Sequence, residues 1–276
     1  MFQDTIIPLD QWVSEAVEWL VDNHREFFQM LKWPVDWLLS GFEHGLTTVH
    51  PLVVIVIVCL LALKFSGKRL AVFSLASLLL MGFLGLWEDT MITLAMVLSS
   101  VVICAVIGVP LGIMSGRSNR FEAWLRPVLD AMQTTPAFVY LVPIVMLFSV
   151  GNVAGVLATI IFALPPIIRL TSLGIRQVHP ELVEAAQAFG ATRWQVLVKV
   201  QIPLAMPTIL AGLNQTIMMA LSMVVIAALI GAGGLGSPVI LGLNTLDIGR
   251  AVVGGLGIVL MAIVLDRITQ SMARKK

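Results

Sequence analysis

The 276-residue sequence is 58% apolar and only 12% charged, about half the charged fraction of a typical soluble domain, and its mean hydropathy is +0.97. A water-soluble globule is therefore excluded. A net charge of +1 leaves no basic excess to track a phosphate backbone, so nucleic acid is not an expected partner. Cys59 and Cys104 lie in apolar runs without ligand spacing, which argues against a disulfide framework or a zinc site.

Residues 1–46 form a first, distinct segment. It holds half of the chain's acids beside Trp12, Trp19, Trp33 and Trp37. Early Asp4, Asp10 and Glu15 are unlike the basic start of a secretory leader. From Asp10 to Leu31, Trp12, Ala16, Trp19, Leu20, Phe27 and Leu31 recur at helical spacing opposite Glu15, Asp22, Arg25 and Glu26. This pattern predicts an amphipathic helix at the outer membrane interface, outside the core of spanning helices; a loosely ordered tail with interfacial tryptophans is the alternative.

Beyond it, charge disappears over 70–87, 90–116, 131–168, 200–246 and 251–265. A spanning helix needs roughly 20 mostly apolar residues. The gaps predict spans near 48–65, 70–87, 90–115, 128–150, 152–170, 207–230 and 250–266, of which 47–87 supplies two peripheral helices and 88–276 the core. The expected class is all-α, a polytopic membrane protein of about seven transmembrane helices. Of the seventeen basic residues, only Arg25, Lys32 and Arg250 fall on one side of this arrangement. The others mark the cytoplasm, which places the N-terminus outside and the C-terminus inside.

One cytoplasmic loop, 172–206, carries readable punctuation. Pro180 suits a first helical position, and Glu181 and Glu184 favour the positive end of that helix. Gly190 can close the helix in the left-handed conformation. Thr192 and Gln195 form a capping box for a second helix running to about Gln201, which Pro203 ends. Ala185, Ala186 and Ala188 leave the first helix thin enough for close approach.

These residues resemble a known pattern. Glu184-Ala185-Ala186, Gly190 and then Val200-Gln201-Ile202-Pro203 are similar to the EAA loop of permease subunits in type I ATP-binding-cassette importers, with Val200 and Ile202 standing at the two apolar positions of its closing I-x-L-P. The resemblance runs from about Glu88 to the C-terminus, and MQTTPAFVYLVPIVMLF, IIFALPPIIRLTSLGI, IPLAMPTILAGLNQT and GAGGLG look like the glycine betaine/proline and choline branch. It implies a homodimer in the bacterial cytoplasmic membrane, each copy docking its loop on a cytoplasmic ATPase through Glu184, Ala185, Ala186, Gly190 and Pro203. It further implies an extracytoplasmic substrate-binding protein that delivers a compatible solute such as glycine betaine, proline betaine, proline or choline. A helical hairpin that merely ties two spans together is the plainer alternative for the loop.

No G-x-x-x-x-G-K-[ST] phosphate loop occurs in the sequence. No catalytic residue or cofactor is expected in this chain, ATP and Mg being bound by the partner ATPase. The histidines lack an i,i+4 partner for a metal. No charged residue falls at mid-membrane depth, so ion coupling lacks its usual machinery. A stand-alone secondary carrier or osmotically gated channel is the rival function, and a non-transporting scaffold a second.

The resemblance places the fourth and sixth spans near the dimer axis, which makes Gln133, Thr134, Asn214, Gln215 and Thr216 candidates to line the passage. Their amides and hydroxyls could equally bond between helices. Tyr140, the only tyrosine, offers at most a weak cation–π station, so selection of the solute is assigned to the binding protein. Gly231, Gly233, Gly234 and Gly236 can form a tight or partly re-entrant loop at the outer gate, or an ordinary connection.

Overall fold

The structure, a computed structural model, describes residues 9–274. Asp4, Lys275 and Lys276 lie outside the described residues, as do the side chains of Asp10, Arg25 and Arg274. The described chain is helical throughout: α1 (Leu9–Thr48), α2 (Pro51–Ser66), α3 (Lys68–Phe83), α4 (Trp87–Arg117), α5 (Asn119–Thr134), α6 (Ala137–Phe148), α7 (Asn152–Arg176), α8 (Pro180–Ala188), α9 (Arg193–Val196), α10 (Ile202–Ala228), α11 (Gly236–Thr245) and α12 (Ile248–Arg274).

Four helical stretches are long and apolar enough to cross a membrane alone: Trp87–Arg117, Asn152–Arg176, Arg193–Ala228 and Ile248–Met272. Two bent pairs reach that length only together, Glu26–Thr48 with Pro51–Ser66 at 107° and Asn119–Thr134 with Ala137–Phe148 at 96°. Among the described residues at most six stretches thus reach spanning length, against about seven expected. Helices α2 and α3 have 16 residues each, roughly 24 Å of helix against a hydrocarbon core about 30 Å thick.

The expected span 128–150 is broken at Thr135. Pro136 disfavours helical geometry in the residue before it, and Thr135 is extended at φ −69°, ψ 124°. Pro203, expected to end a helix, does not. Leu197–Gln201 is a π-turn in which the Ile202 N–H reaches Leu197 O. This wider turn precedes Pro203, which then occupies the first turn of α10, where its missing N–H costs little.

Helices α4, α7 and α10 form the centre, with Val97, Cys104, Ile167, Ile168, Leu221 and Val224 in one buried cluster. What lets α4 lie against α7 is a stripe of Gly108, Gly112 and Gly116, four residues apart. A Cβ at Gly112 would stand 2.5 Å from Thr171 Cβ and 2.8 Å from Ile168 O. Glycines at this spacing let backbones approach where lipid gives no hydrophobic drive to helix pairing.

The amino-terminal stretch α1 is two helices joined by a kink at His24 (φ −126°, ψ 22°), and the second of them does not stay outside the core. Val35 and Leu39 are buried in the central cluster, and the Phe28 ring meets Phe148 of α6 edge to face at 5.7 Å. Trp12, Trp19, Trp33 and Trp37 are exposed, as an interfacial stripe requires.

Candidate functional site: a helical foot and two polar helix ends

The chain has two ends. Helices α4 and α7 run in parallel and α10 returns antiparallel against them, so the loop between α7 and α9 emerges at one end with Arg117, Arg176 and Lys199. The glycine turn after α10 packs at the other, near Thr93 and Asn152.

At the basic end, α8 begins at Pro180 as expected. It closes with two C-terminal bonds, Gly190 N–H to Gln187 O at 2.8 Å and Ala191 N–H to Ala186 O at 3.1 Å. Gly190 has φ +81°, the left-handed geometry that this closure needs. The capping box is complete: Thr192 Oγ1 accepts from Gln195 N–H, and Gln195 Oε1 accepts from Thr192 N–H at 2.8 Å. Because Arg193–Ala228 is continuous, α9 runs directly into a membrane helix, and α8 is attached to it through the closed turn at Gly190 and the Thr192 capping box.

No α8 residue is buried. Glu184 and Ala185 are exposed, Ala186 is half-buried and Pro203 is exposed. The structure adds Leu182, Phe189 and Trp194, with Phe189 94% exposed. The motif's spacing did not single these out. Their signal lies in the bulk of their apolar side chains at the helix corner.

The passage candidates divide. Asn214 Nδ2 donates to Asp266 Oδ1 at 3.0 Å, and Thr269 Oγ1 donates to Asn214 Oδ1. Thr216 is fully buried and donates to Ala163 O at 3.0 Å. These two side chains tie α10 to α12 and α7. Gln215 is exposed on α10, Gln133 is half-buried and Thr134 is exposed at the α5–α6 break. Tyr140 packs beside Met223, its hydroxyl without a hydrogen-bond partner among the described residues.

At the opposite end the glycines make a tight turn that leads into α11, an element the sequence pattern did not predict. Gly231 and Gly234 have φ +73° and +85°. Gly233 N–H donates to Asn152 Oδ1 at 2.7 Å and Leu235 N–H to Thr93 Oγ1 at 2.8 Å. Asn152 also donates to Glu43 Oε1 at 3.4 Å. One side chain therefore connects α1, α7 and the turn. Among the described residues no group of His, Cys, Asp and Glu could hold a metal ion.

This arrangement, a core of apolar helices with a helical foot at the basic end, defines an integral membrane transport component. Residues 108–276 match the family described as the binding-protein-dependent transport system inner membrane component, and the chain belongs to that family as a multi-pass protein of the cytoplasmic membrane. The glycine betaine/proline betaine transport system permease protein ProW of Escherichia coli is 56% identical over 273 residues, covering 99% of this chain and 77% of its own. The glycine betaine transport system permease protein OpuAB of Bacillus subtilis is 46% identical over 270 residues, covering 98% and 96%. Among solved structures, an inward-facing form of the MetNI methionine ABC transporter has the same fold, with a TM-score of 0.62 at 22% identity over 69% of this chain and 95% of its own.

Proposed function

We propose that this chain is the permease subunit of an ATP-driven importer that carries a small quaternary ammonium solute, glycine betaine or proline betaine, into the cytoplasm. The observation that carries the reading is the foot, with Glu184, Ala185 and Ala186 on a helix attached through the Gly190 turn and the Thr192 capping box to the continuous stretch Arg193–Ala228. A foot of this kind converts the closure of a partner into movement of a membrane helix. The ion pair offered by exposed Glu184 contributes under about 1 kcal/mol, so it sets register, while Phe189 and Trp194 supply the apolar anchor.

The partners in this reading are a cytoplasmic ATPase that binds ATP and Mg, an extracytoplasmic solute-binding protein, and a second copy of this chain across the passage. The chain itself carries out no covalent chemistry. Gln215, Gln133 and Thr134 line the passage. An amide exposed on an apolar helix is costly against lipid and favourable against water. The turn at Gly231, Gly233, Gly234 and Gly236 belongs to the outer gate. The names of the relatives support the solute class.

Proteoliposomes test the proposal. With ATPase, binding protein and internal ATP, glycine betaine should accumulate, and omission of any one should abolish accumulation. Uphill uptake by the chain alone would favour a secondary carrier and overturn the reading.

A further inference from the structure

At the basic end a cavity of about 370 Å3 opens between α5 and α7, beneath the end of α4, within the usual range for small-molecule pockets of about 300–1,000 Å3. Glu122, Arg126 and Asp130 stand four residues apart on α5 and line it with alternating sign, and Arg169 and Arg176, seven apart on α7, face them. Its floor is apolar, from Leu125, Leu129 and Ile168.

Four of the five charges are paired. Arg169 Nη2 donates to Asp130 Oδ1 at 2.5 Å, and Arg176 Nη2 lies 2.7 Å from Glu122 Oε2. Arg176 is further fixed by donation to Asn119 Oδ1 at 2.7 Å and to Ser115 O at 2.8 Å. Arg126 makes no ion pair among the described residues. The wall thus offers one free guanidinium between two carboxylates, over an apolar floor.

We infer that this cavity is a low-affinity station for a dipolar solute, a quaternary ammonium carboxylate, on its way out to the cytoplasm, with Arg126 as the carboxylate anchor. The inference rests on the permease reading above. A guanidinium holds a carboxylate by two parallel N–H bonds. The onium end has no N–H to donate, so it needs only nearby negative charge and contact for its methyl groups. The ion pairs engage Glu122 Oε2 and Asp130 Oδ1, so what these carboxylates supply is the partial charge of their second oxygens, and Leu125 and Leu129 supply the contact. The alternating signs discriminate by repulsion as well as attraction. A simple cation meets three guanidiniums, and a simple anion engages Arg126 but leaves the acidic groups beside it unused, whereas a dipolar ion satisfies both. No aromatic face lines the cavity, so the cation–π contribution that tight onium sites use is missing. Weak binding is what a release station requires.

The test uses the full chain in nanodiscs with radiolabelled glycine betaine, and ATP-driven uptake by the complete transport system in parallel. Binding should be saturable and displaced by unlabelled glycine betaine, but far less by choline, which lacks the carboxylate, or by trimethylacetate, which lacks the charge. Arg126→Gln should weaken binding about tenfold or more, the scale of a charge-assisted hydrogen bond. Arg126→Lys should restore part of it, and Arg120→Gln, on the same helix outside the cavity, should bind as wild type. Unchanged binding by Arg126→Gln, equal displacement by choline, or no saturable binding while wild-type uptake is intact would remove the site and leave the transport reading standing. Absence of ATP-driven uptake in the wild-type system would remove both.

Discussion

Gly190 has open space where a Cβ would go, yet its φ of +81° is one that side-chain-bearing residues pay to adopt, about 1–2 kcal/mol. The penalty falls on the turn that fixes the angle between α8 and α9. Gly190→Leu should therefore leave the protein inserted and of near-normal abundance while ATP hydrolysis by the complex continues without uptake. The ratio of solute moved to ATP hydrolysed is the measurement, and wild-type coupling would show that the angle is unimportant. Gly190 was legible from its spacing to Glu184 and Thr192, because capping is a local interaction written within a few residues. Phe189 and Trp194 were not, since exposure depends on how the foot stands clear of the bundle.

At the scale of elements, contact between α4 and α7 depends on backbone approach. Gly112→Val would drive a branched side chain into Thr171 and the Ile168 carbonyl. Overpacking of this kind costs about 1–3 kcal/mol, and the variant should lose thermal stability in detergent by several degrees. A substitution of the same size at Gly255, which has nothing within 4 Å, should change it little. Prolines acted differently at different places. Pro136 breaks a span because the residue before it turns extended, while Pro203 is absorbed by the π-turn ahead of it. A proline in the sequence announces a lost N–H and a ring to accommodate, but not whether the helix stops or widens; here it widens next to Val196 and Leu197, which are buried. Charge-free gaps located the apolar helices well and their ends poorly, since helices α7 and α12 run on through residues such as Arg169, Arg176 and Arg267. Such side chains reach a polar interface without ending the helix.

For the whole molecule, Asn152 is the point where the amino-terminal helix, the core and the glycine turn meet. Asn152→Ala would leave the Gly233 N–H without its acceptor, a loss of about 1 kcal/mol for a partly buried group. Backbone hydrogen exchange should then accelerate in 230–236 and in the second half of α1, while α8 keeps its wild-type rate. Exchange unchanged in the turn would show that Thr93 alone holds it.

The sequence by itself determined the membrane class, the helical content, and the capped foot with its Glu184 and Gly190. Each of these follows from composition or from interactions among neighbours a few residues apart. Only the tertiary structure decided that α1 enters the core, that Asn214 and Thr216 are spent on helix ties while Gln215 stays exposed, and that Glu122, Arg126 and Asp130 meet Arg169 and Arg176 across a cavity. Those outcomes turn on which helix faces meet over long sequence separations, and polar side chains of one type serve equally as ties or as linings until the opposing surface is in place.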